Sequence, residues 1–176
     1  MNNRKLLNIE LGRVGVEGYK QQSKDGHVIV LDNVRSAHNI GSAFRTADSF
    51  NIGKIYLCGI CATPPSAEIH KAALGAEDSV DWEYSPNTVQ VINALKEDGY
   101  TIISVEQTVN SVSLNDFQPI NGTKYALIFG NEVAGVNQDV VNASDFSLEI
   151  PQYGTKHSLN VSVSLGVVLW VFRPNV

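Results

Sequence analysis

The sequence predicts an α/β protein in which a parallel sheet is flanked by helices on both faces. Short apolar runs typical of buried strands alternate with segments of helical periodicity about ten residues long, and such alternation is typical of a parallel sheet. The chain has 176 residues, of which 43% are hydrophobic. This is enough for one core and short for two ordinary domains. We expect a single domain at residues 27–176, preceded by a lead-in arm at residues 1–26.

The first strand and helix are the clearest elements. Residues 27–31, His-Val-Ile-Val-Leu, form a β-branched run between two turn-forming pairs, as expected for a strand buried on both faces. In the next segment Ile40, Ala43, Phe44 and Ala47 recur at i, i+3, i+4 and i+7, which predicts an amphipathic helix over residues 39–50.

The remaining elements follow the same alternation. Strands are predicted at residues 54–58, 80–84, 100–105, 125–129 and 146–150, and helices near residue 66, at residues 88–97, from residue 136 and from residue 161. The first 25 residues are weakly periodic and read as a helical lead-in. The apolar run at residues 161–172 is well short of the roughly 20 residues that span a bilayer, so we expect a buried element and no membrane association.

The net charge indicates which partners the protein can bind, and the N-terminal sequence indicates where in the cell it is expected. The formal net charge is −5, the wrong overall sign for a dedicated nucleic-acid binder. RNA binding would need a local cationic face, which the fold could assemble from Arg35, His38, Arg45, His70, Lys71, Lys156 and His157. The N-terminus lacks the apolar core of a secretory signal, so we expect a cytoplasmic protein.

Two cysteines form a lone Cys-x-x-Cys, Cys58 and Cys61. A redox pair or half of a zinc site is possible for this spacing, but there is no second cysteine pair and only His70 is near in sequence. We interpret both thiols as core residues and assign no metal.

The loops that follow the strands hold the candidate site, because parallel sheets bind ligands beyond the C-terminal ends of their strands. Gly130 and Glu132 follow one strand, where glycine would let a ligand approach the backbone. A plain turn would also use Gly-Asn. After the next strand, Ser158 and Asn160 precede an apolar helix, where either could simply be its N-cap.

Arg45 lies on the predicted helix beside core-facing positions. A guanidinium there is either paired in a structural salt bridge or placed at a site. The chain contains no Walker-type loop, no Gly-x-Gly-x-x-Gly and no Gly-x-Ser-x-Gly, which removes most support from nucleotide-fold, dinucleotide-binding and hydrolase interpretations.

Three segments in order resemble the signatures of one family: Asn39-x-Gly-x-x-x-Arg45-Thr-Ala, Phe129-Gly-Asn-Glu132-x-x-Gly135 and Ile150-Pro-x-x-Gly-x-x-x-Ser158-Leu-Asn-Val-Ser. They are similar to the SpoU/TrmH branch of the SPOUT methyltransferases, which transfer a methyl group from S-adenosylmethionine to a ribose 2′-hydroxyl of tRNA or rRNA. The chain departs from the family pattern at Gln152, where Met is usual, and in its acidic balance.

The resemblance implies more than the residue patterns do. It implies a deep C-terminal trefoil knot, a homodimer with the active site near the subunit interface, and S-adenosylmethionine held in the knot loops. Arg45 would orient or help to deprotonate the hydroxyl, with Asn39, Glu132 and Asn160 as positioning residues. Cofactor binding would fall on Val105, Glu106, Gly130, Ile150, Ser158 and Leu159.

Two alternatives remain open at this point. The same fold could serve as a non-catalytic binding module for S-adenosylmethionine or RNA, although Arg45, Glu132 and Asn160 are all present. An α/β oxidoreductase or flavodoxin-like binder would bind flavin or nicotinamide, and its glycine fingerprints are missing.

Overall fold

The computed structural model describes residues 3–173 and contains a seven-stranded parallel sheet in the order β3-β2-β1-β6-β4-β7-β5. The strands are β1 Val28–Asp32, β2 Lys54–Cys58, β3 Trp82–Ser85, β4 Thr101–Val105, β5 Val112–Ser113, β6 Tyr125–Phe129 and β7 Phe146–Glu149. The helices are α1 Val16–Gln21, α2 Ala37–Ser49, α3 Ala67–Ala73, α4 Ala76–Ser79, α5 Thr88–Glu97, α6 Gln138–Ala143 and α7 Val161–Phe172. The predicted fold class is confirmed.

Helices cover both faces of the interior strand β1, whose five residues are all buried. Ile29 and Leu31 pack with α2, α3 and α7 on one face, while Val28 and Val30 pack with α5 and α6 on the other. Alternate residues of a strand point to opposite faces of the sheet, so every side chain of a strand covered on both faces must be apolar or paired. This explains the unbroken β-branched run.

Several predicted boundaries are confirmed and others shift. Strands β2 and β6 and helix α5 lie at the predicted residues, and α7 begins where predicted. The helix expected near residue 66 is capped by Ser66 but divides into α3 and α4, because Leu74 and Gly75 both adopt left-handed backbone conformations. The two-residue strand β5 was not predicted.

Two expectations need correction. In the described part of residues 1–26, helical structure is confined to a 3-10 turn at Asn8–Leu11 and the short α1. Tyr19 is the only buried residue in this part of the chain. Helix α7 is not buried all round. Leu165 and Leu169 are buried on one face, whereas Val163, Val167 and Trp170 are exposed on another. Among the described residues no helix is long and apolar enough to cross a membrane.

Candidate functional site

A cleft of about 500 Å³ lies where the loops after β4, β6 and β7 meet. All strands are parallel, so these loops emerge at one edge of the sheet. Strands β6 and β7 lie on either side of β4, and the helices that follow them, α6 and α7, cover opposite faces. Such a divergence opens a crevice at the C-terminal edge of a sheet, which is where α/β proteins bind ligands.

The loop after β6 is closed by its own hydrogen bonds. Asn131 and Gly135 exchange two backbone hydrogen bonds of 2.9 Å, and the Asn131 Oδ1 atom accepts from the backbone N–H groups of Val133 and Ala134. The Asn131 side chain also donates to the backbone oxygen of Asn33 at 2.7 Å. The loop is therefore a formed wall of the cleft and is tied to the segment that follows β1.

Gly130 has a different structural reason from the one the sequence suggested. A Cβ at this position would lie 2.1 Å from both the Gly135 carbonyl carbon and the Val136 nitrogen. A side chain at position 130 would therefore collide with the backbone of the same loop. In the structure glycine is what allows residues 130–136 to fold back on themselves, and the expected approach of a ligand to its backbone stays a prediction.

A chain of hydrogen bonds joins three residues that are distant in sequence. The Asn39 Nδ2 atom donates to Glu132 Oε1 at 2.8 Å, and the Asn160 Nδ2 atom donates to Asn39 Oδ1 at 3.2 Å. Asn160 is also the N-cap of α7, since its Oδ1 accepts from the Ser162 backbone nitrogen. The orientation of the Asn39 amide is fixed because its oxygen and nitrogen both have partners.

Glu132 is held as a carboxylate. It accepts from the backbone nitrogens of Arg35 at 3.1 Å and Ser36 at 3.2 Å, in addition to the Asn39 amide. Burial alone would raise the pKa of Glu132, but these hydrogen bonds outweigh it and hold the pKa below the ordinary value of 4.5. A carboxylate with a lowered pKa is a weak base at neutral pH, so its contribution here is to orient Asn39 and the start of α2.

The six residues expected to bind a cofactor all line the cleft: Val105, Glu106, Gly130, Ile150, Ser158 and Leu159. Glu132 and Asn160 line it as well. Their individual roles in binding and catalysis stay predictions.

Sequence reasoning named Glu106 but missed Gln107, and the side chains of both hold loops of this site together. The Glu106 carboxylate accepts from the Val136 backbone nitrogen at 2.9 Å, and the Gln107 amide donates to the His157 backbone oxygen at 2.9 Å. Together they tie the loop after β6 and the loop after β7 to the end of β4. The available signal for Gln107 was a polar residue just after a buried strand.

Within one copy of the chain, the Arg45 side chain makes no hydrogen bond with Asn39, Glu132 or Asn160. Its side chain is exposed and makes no hydrogen bond or ion pair with any residue from 3 to 173, so the structural salt bridge that we considered is not formed there. Arg45 is six residues after Asn39 in α2, which places it about 9 Å further along the helix axis. It is not among the residues that line the cleft.

The cysteine pair lies in the core. Cys58 and Cys61 are both buried, and the Cys61 thiol donates to the Leu31 backbone oxygen. Burial raises the pKa of Cys58 to about 12 and that of Cys61 to about 11. Both are therefore protonated thiols at neutral pH, which suits packing rather than ligation or nucleophilic attack.

The fold and the cleft define an α/β protein with a candidate ligand site beyond the C-terminal edge of a parallel sheet. The chain belongs to the SpoU rRNA Methylase family, whose model matches residues 26–170. The resemblance of the three sequence segments to this family is thereby confirmed.

Comparisons with individual proteins agree with that membership. The chain is 34% identical over 147 residues to the 23S rRNA (guanosine-2′-O-)-methyltransferase RlmB of Nitrosomonas europaea, covering 81% of this chain and 54% of that protein. It is 33% identical over 145 residues to a tRNA (guanosine(18)-2′-O)-methyltransferase of Aquifex aeolicus, covering 81% and 66%. The chain thus spans about half to two thirds of the length of these relatives.

Solved structures show the same fold. An AdoMet-bound rRNA methyltransferase from Sinorhizobium meliloti superposes with a TM-score of 0.77 at 26% identity, covering 87% of this chain and 57% of that one.

Proposed function

We propose that this protein transfers a methyl group from S-adenosylmethionine to a ribose 2′-hydroxyl of tRNA or rRNA. The observation that carries the proposal is the hydrogen-bonded chain Asn160–Asn39–Glu132 at the cleft. Membership of the SpoU family and the names of the two relatives support this reaction over the alternatives of a non-catalytic module or an oxidoreductase.

The cleft suits S-adenosylmethionine in size and lining. Its volume of about 500 Å³ is within the usual range for small-molecule sites. Val105, Leu148, Ile150 and Leu159 supply apolar surface, which fits the adenine ring and the methylene groups, while the surrounding loops present backbone polar groups. When bound, the cofactor would supply an electrophilic methyl group on a sulfonium.

The side chains of the protein would contribute orientation rather than strong base chemistry. Glu132 and Asn160 fix the Asn39 amide and with it the start of α2, the helix that carries Arg45. Methyl transfer needs the hydroxyl oxygen in line with the departing sulfur, so a large part of the rate would come from this positioning.

We propose that Arg45 orients the 2′-hydroxyl or assists its deprotonation. An arginine normally stays protonated near pH 7, so electrostatic placement, with a phosphate taking the proton, is one route and a strongly perturbed guanidinium is the other. The exposure of Arg45 leaves it accessible to RNA. Arg35 and Lys156 are also exposed, as are the side chains of His38 and His157, and the two positive charges of Arg35 and Lys156 would offset the acidic balance locally.

We further propose that the protein works as a homodimer through the outer face of α7. Val163, Val167 and Trp170 follow at i, i+4 and i+7 and are 51%, 39% and 59% exposed, a stripe that suits burial against a partner. Because the N-cap of α7 is Asn160, which lines the cleft, a dimer joined through α7 would place the cleft near the interface. Trp170→Glu is expected to shift the molar mass in light scattering to that of a monomer, while Ile120→Glu, at another exposed apolar position, would leave it unchanged.

The remaining parts of the proposal concern the domain boundaries, the chain topology and the cellular compartment. We propose that residues 27–176 form the methyltransferase domain with a trefoil knot in their C-terminal part, that residues 1–26 form an arm, and that the protein acts in the cytoplasm. The family match over residues 26–170 supports this division, and the close approach of the loops after β4, β6 and β7 is compatible with a knotted cofactor site.

The test is transfer of labelled methyl to RNA from a strain that lacks this protein, followed by nuclease digestion and nucleoside mass spectrometry. A 2′-O-methylated nucleoside would establish the reaction and identify the base. Cofactor binding without incorporation would favour the non-catalytic module. Arg45→Ala is expected to abolish transfer with cofactor affinity within a few fold, and Arg45→Lys would separate charge from the planar geometry of the guanidinium.

A further inference from the structure

One side-chain amide in the cleft has no partner. Four carboxamide side chains line the cleft: Gln107, Asn131, Gln152 and Asn160. Gln107 donates to the His157 backbone oxygen, and the other two asparagine amides each use both their oxygen and their nitrogen in hydrogen bonds. The Gln152 amide makes no hydrogen bond with any residue from 3 to 173. Its donor and its acceptor are therefore both available to a ligand.

Gln152 can be reached from the cleft. The residue is half-buried and lies in the loop after β7, two residues beyond Ile150, which supplies part of the apolar wall. Its Oε1 and Nε2 atoms are both accessible to solvent, because the one buried side-chain atom without a hydrogen-bond partner in the described part of the chain belongs to Glu77. A ligand in the cleft can thus bond to both atoms without breaking an existing hydrogen bond.

The lining of the cleft favours a flat, neutral ring beside this amide. Leu148, Ile150 and Leu159 offer apolar surface, and the lining side chains include the carboxylates of Glu106 and Glu132 but no Lys or Arg. This charge disfavours a phosphate or carboxylate next to Gln152. A carboxamide presents an acceptor and a donor side by side, and this pair matches the amino group and the adjacent ring nitrogen of adenine.

We propose that Gln152 is a specificity-determining residue that binds the adenine of S-adenosylmethionine. Its Oε1 atom accepts from the adenine amino group, and its Nε2 atom donates to the neighbouring ring nitrogen. A ring without the amino group would leave Oε1 without a donor. The inference rests on the proposed methyl-transfer function and adds a side-chain contact at a position outside the six predicted cofactor-binding residues, where the family signature usually has Met.

The test compares two ligands of the full chain by titration calorimetry. One is S-adenosylhomocysteine, which remains after methyl transfer, and the other is its 6-deamino analogue, in which a hydrogen replaces the amino group of the base. The native protein is expected to bind the analogue at least about fivefold more weakly, because a two-bond contact between a carboxamide and adenine discriminates by about 5- to 150-fold.

The matched variants are Gln152→Met and Gln138→Met. Gln152→Met removes both amide atoms while keeping an unbranched side chain, and it should shrink the ratio of the two affinities by about fivefold or more. Gln138 is an exposed residue of α6 whose amide donates to Asn142 away from the cleft, so its replacement should leave the ratio unchanged. Both ligands are measured on one preparation, and a partly unfolded fraction therefore cancels from the ratio.

A third ligand separates the two ends of the cofactor. 5′-Methylthioadenosine keeps the adenine and lacks the amino-acid end, so Gln152→Met should weaken its binding by the same factor as that of S-adenosylhomocysteine. A loss confined to S-adenosylhomocysteine would assign Gln152 to the amino-acid end and overturn the proposal.

The remaining outcomes distinguish this contact from the function on which it rests. An unchanged affinity ratio in Gln152→Met, with S-adenosylhomocysteine still bound by the native protein, would overturn the adenine contact and leave the proposed function standing. Absence of S-adenosylhomocysteine binding by the native protein would refute the cofactor site and the contact together.

Discussion

Replacing Glu132 by Gln changes one charge at the centre of the candidate site with almost no change in volume. In the native chain, Oε1 accepts from Asn39 Nδ2 and the Ser36 nitrogen, while Oε2 accepts from the Arg35 nitrogen. A Gln side chain has a single oxygen, so it can accept either from Asn39 and Ser36 or from Arg35, but not from both groups. Its amide NH₂ must then face a donor, and the Asn39 amide cannot simply flip because its oxygen is engaged by Asn160.

The expected magnitude follows from the number of hydrogen bonds affected. At least one charge-assisted hydrogen bond is lost, and such bonds contribute about 1.5–3 kcal/mol each. If the lost hydrogen bond stabilises the transition state more than the bound substrates, the turnover number should drop roughly 10- to 150-fold. About 1.4 kcal/mol in the activation free energy corresponds to a factor of ten in rate. Cofactor affinity should change less than turnover, since the affected donors belong to α2 and the segment before it.

The assay is methyl transfer at saturating cofactor and RNA, with the cofactor dissociation constant measured by calorimetry. Glu97→Gln, at the exposed end of α5, is the matched control and should behave as wild type. The double variant with Asn39→Ala should be little worse than Asn39→Ala alone, because both act through one hydrogen-bonded chain. Native turnover in Glu132→Gln would refute the positioning role, and an equal loss of affinity and turnover would assign the carboxylate to cofactor binding.

Further predictions concern the loop, the core and pH. Gly130→Ala should lower cofactor affinity and melting temperature because its Cβ would meet the loop backbone at 2.1 Å, whereas Gly154→Ala, with no atom within 4 Å of its Cβ, should leave both unchanged. Asp32→Ala should lower the free energy of unfolding in denaturant titrations by at least about 2 kcal/mol, because Thr88 and the Asn137 nitrogen lose their acceptor; wild-type stability would disprove this. Burial lowers the pKa of His27 below 6.5, so its stabilising contribution should be complete above pH 6.5 and decline as pH falls toward the folded pKa. A His27→Gln variant should lack that part of the pH dependence, and an identical pH profile would contradict it.

The sequence was sufficient for the sheet and most helices because each strand is a local pattern. Five consecutive apolar residues in β6 are all buried, and α5 shows its cap, its periodicity and its terminating glycine within a dozen residues. Where the local signal was weak the prediction failed. Strand β5 has two residues and exists only because it pairs with β7, and the break between α3 and α4 lies at Leu74 and Gly75, of which only the glycine favours a turn.

The sequence by itself determined the fold class, the family and the residues that surround the cleft, since these depend on short ordered motifs and on the rule that parallel strands end at one edge. Only the tertiary structure decided how they interact. It paired Asn39 with Glu132 across 93 residues, packed Gly130 against the backbone of its own loop, and left Arg45 and one face of α7 exposed. It also buried Glu77 with one oxygen unpartnered. The physical reason is that a side chain's partners are set by which elements pack together, and packing between distant segments leaves no periodic trace in the sequence.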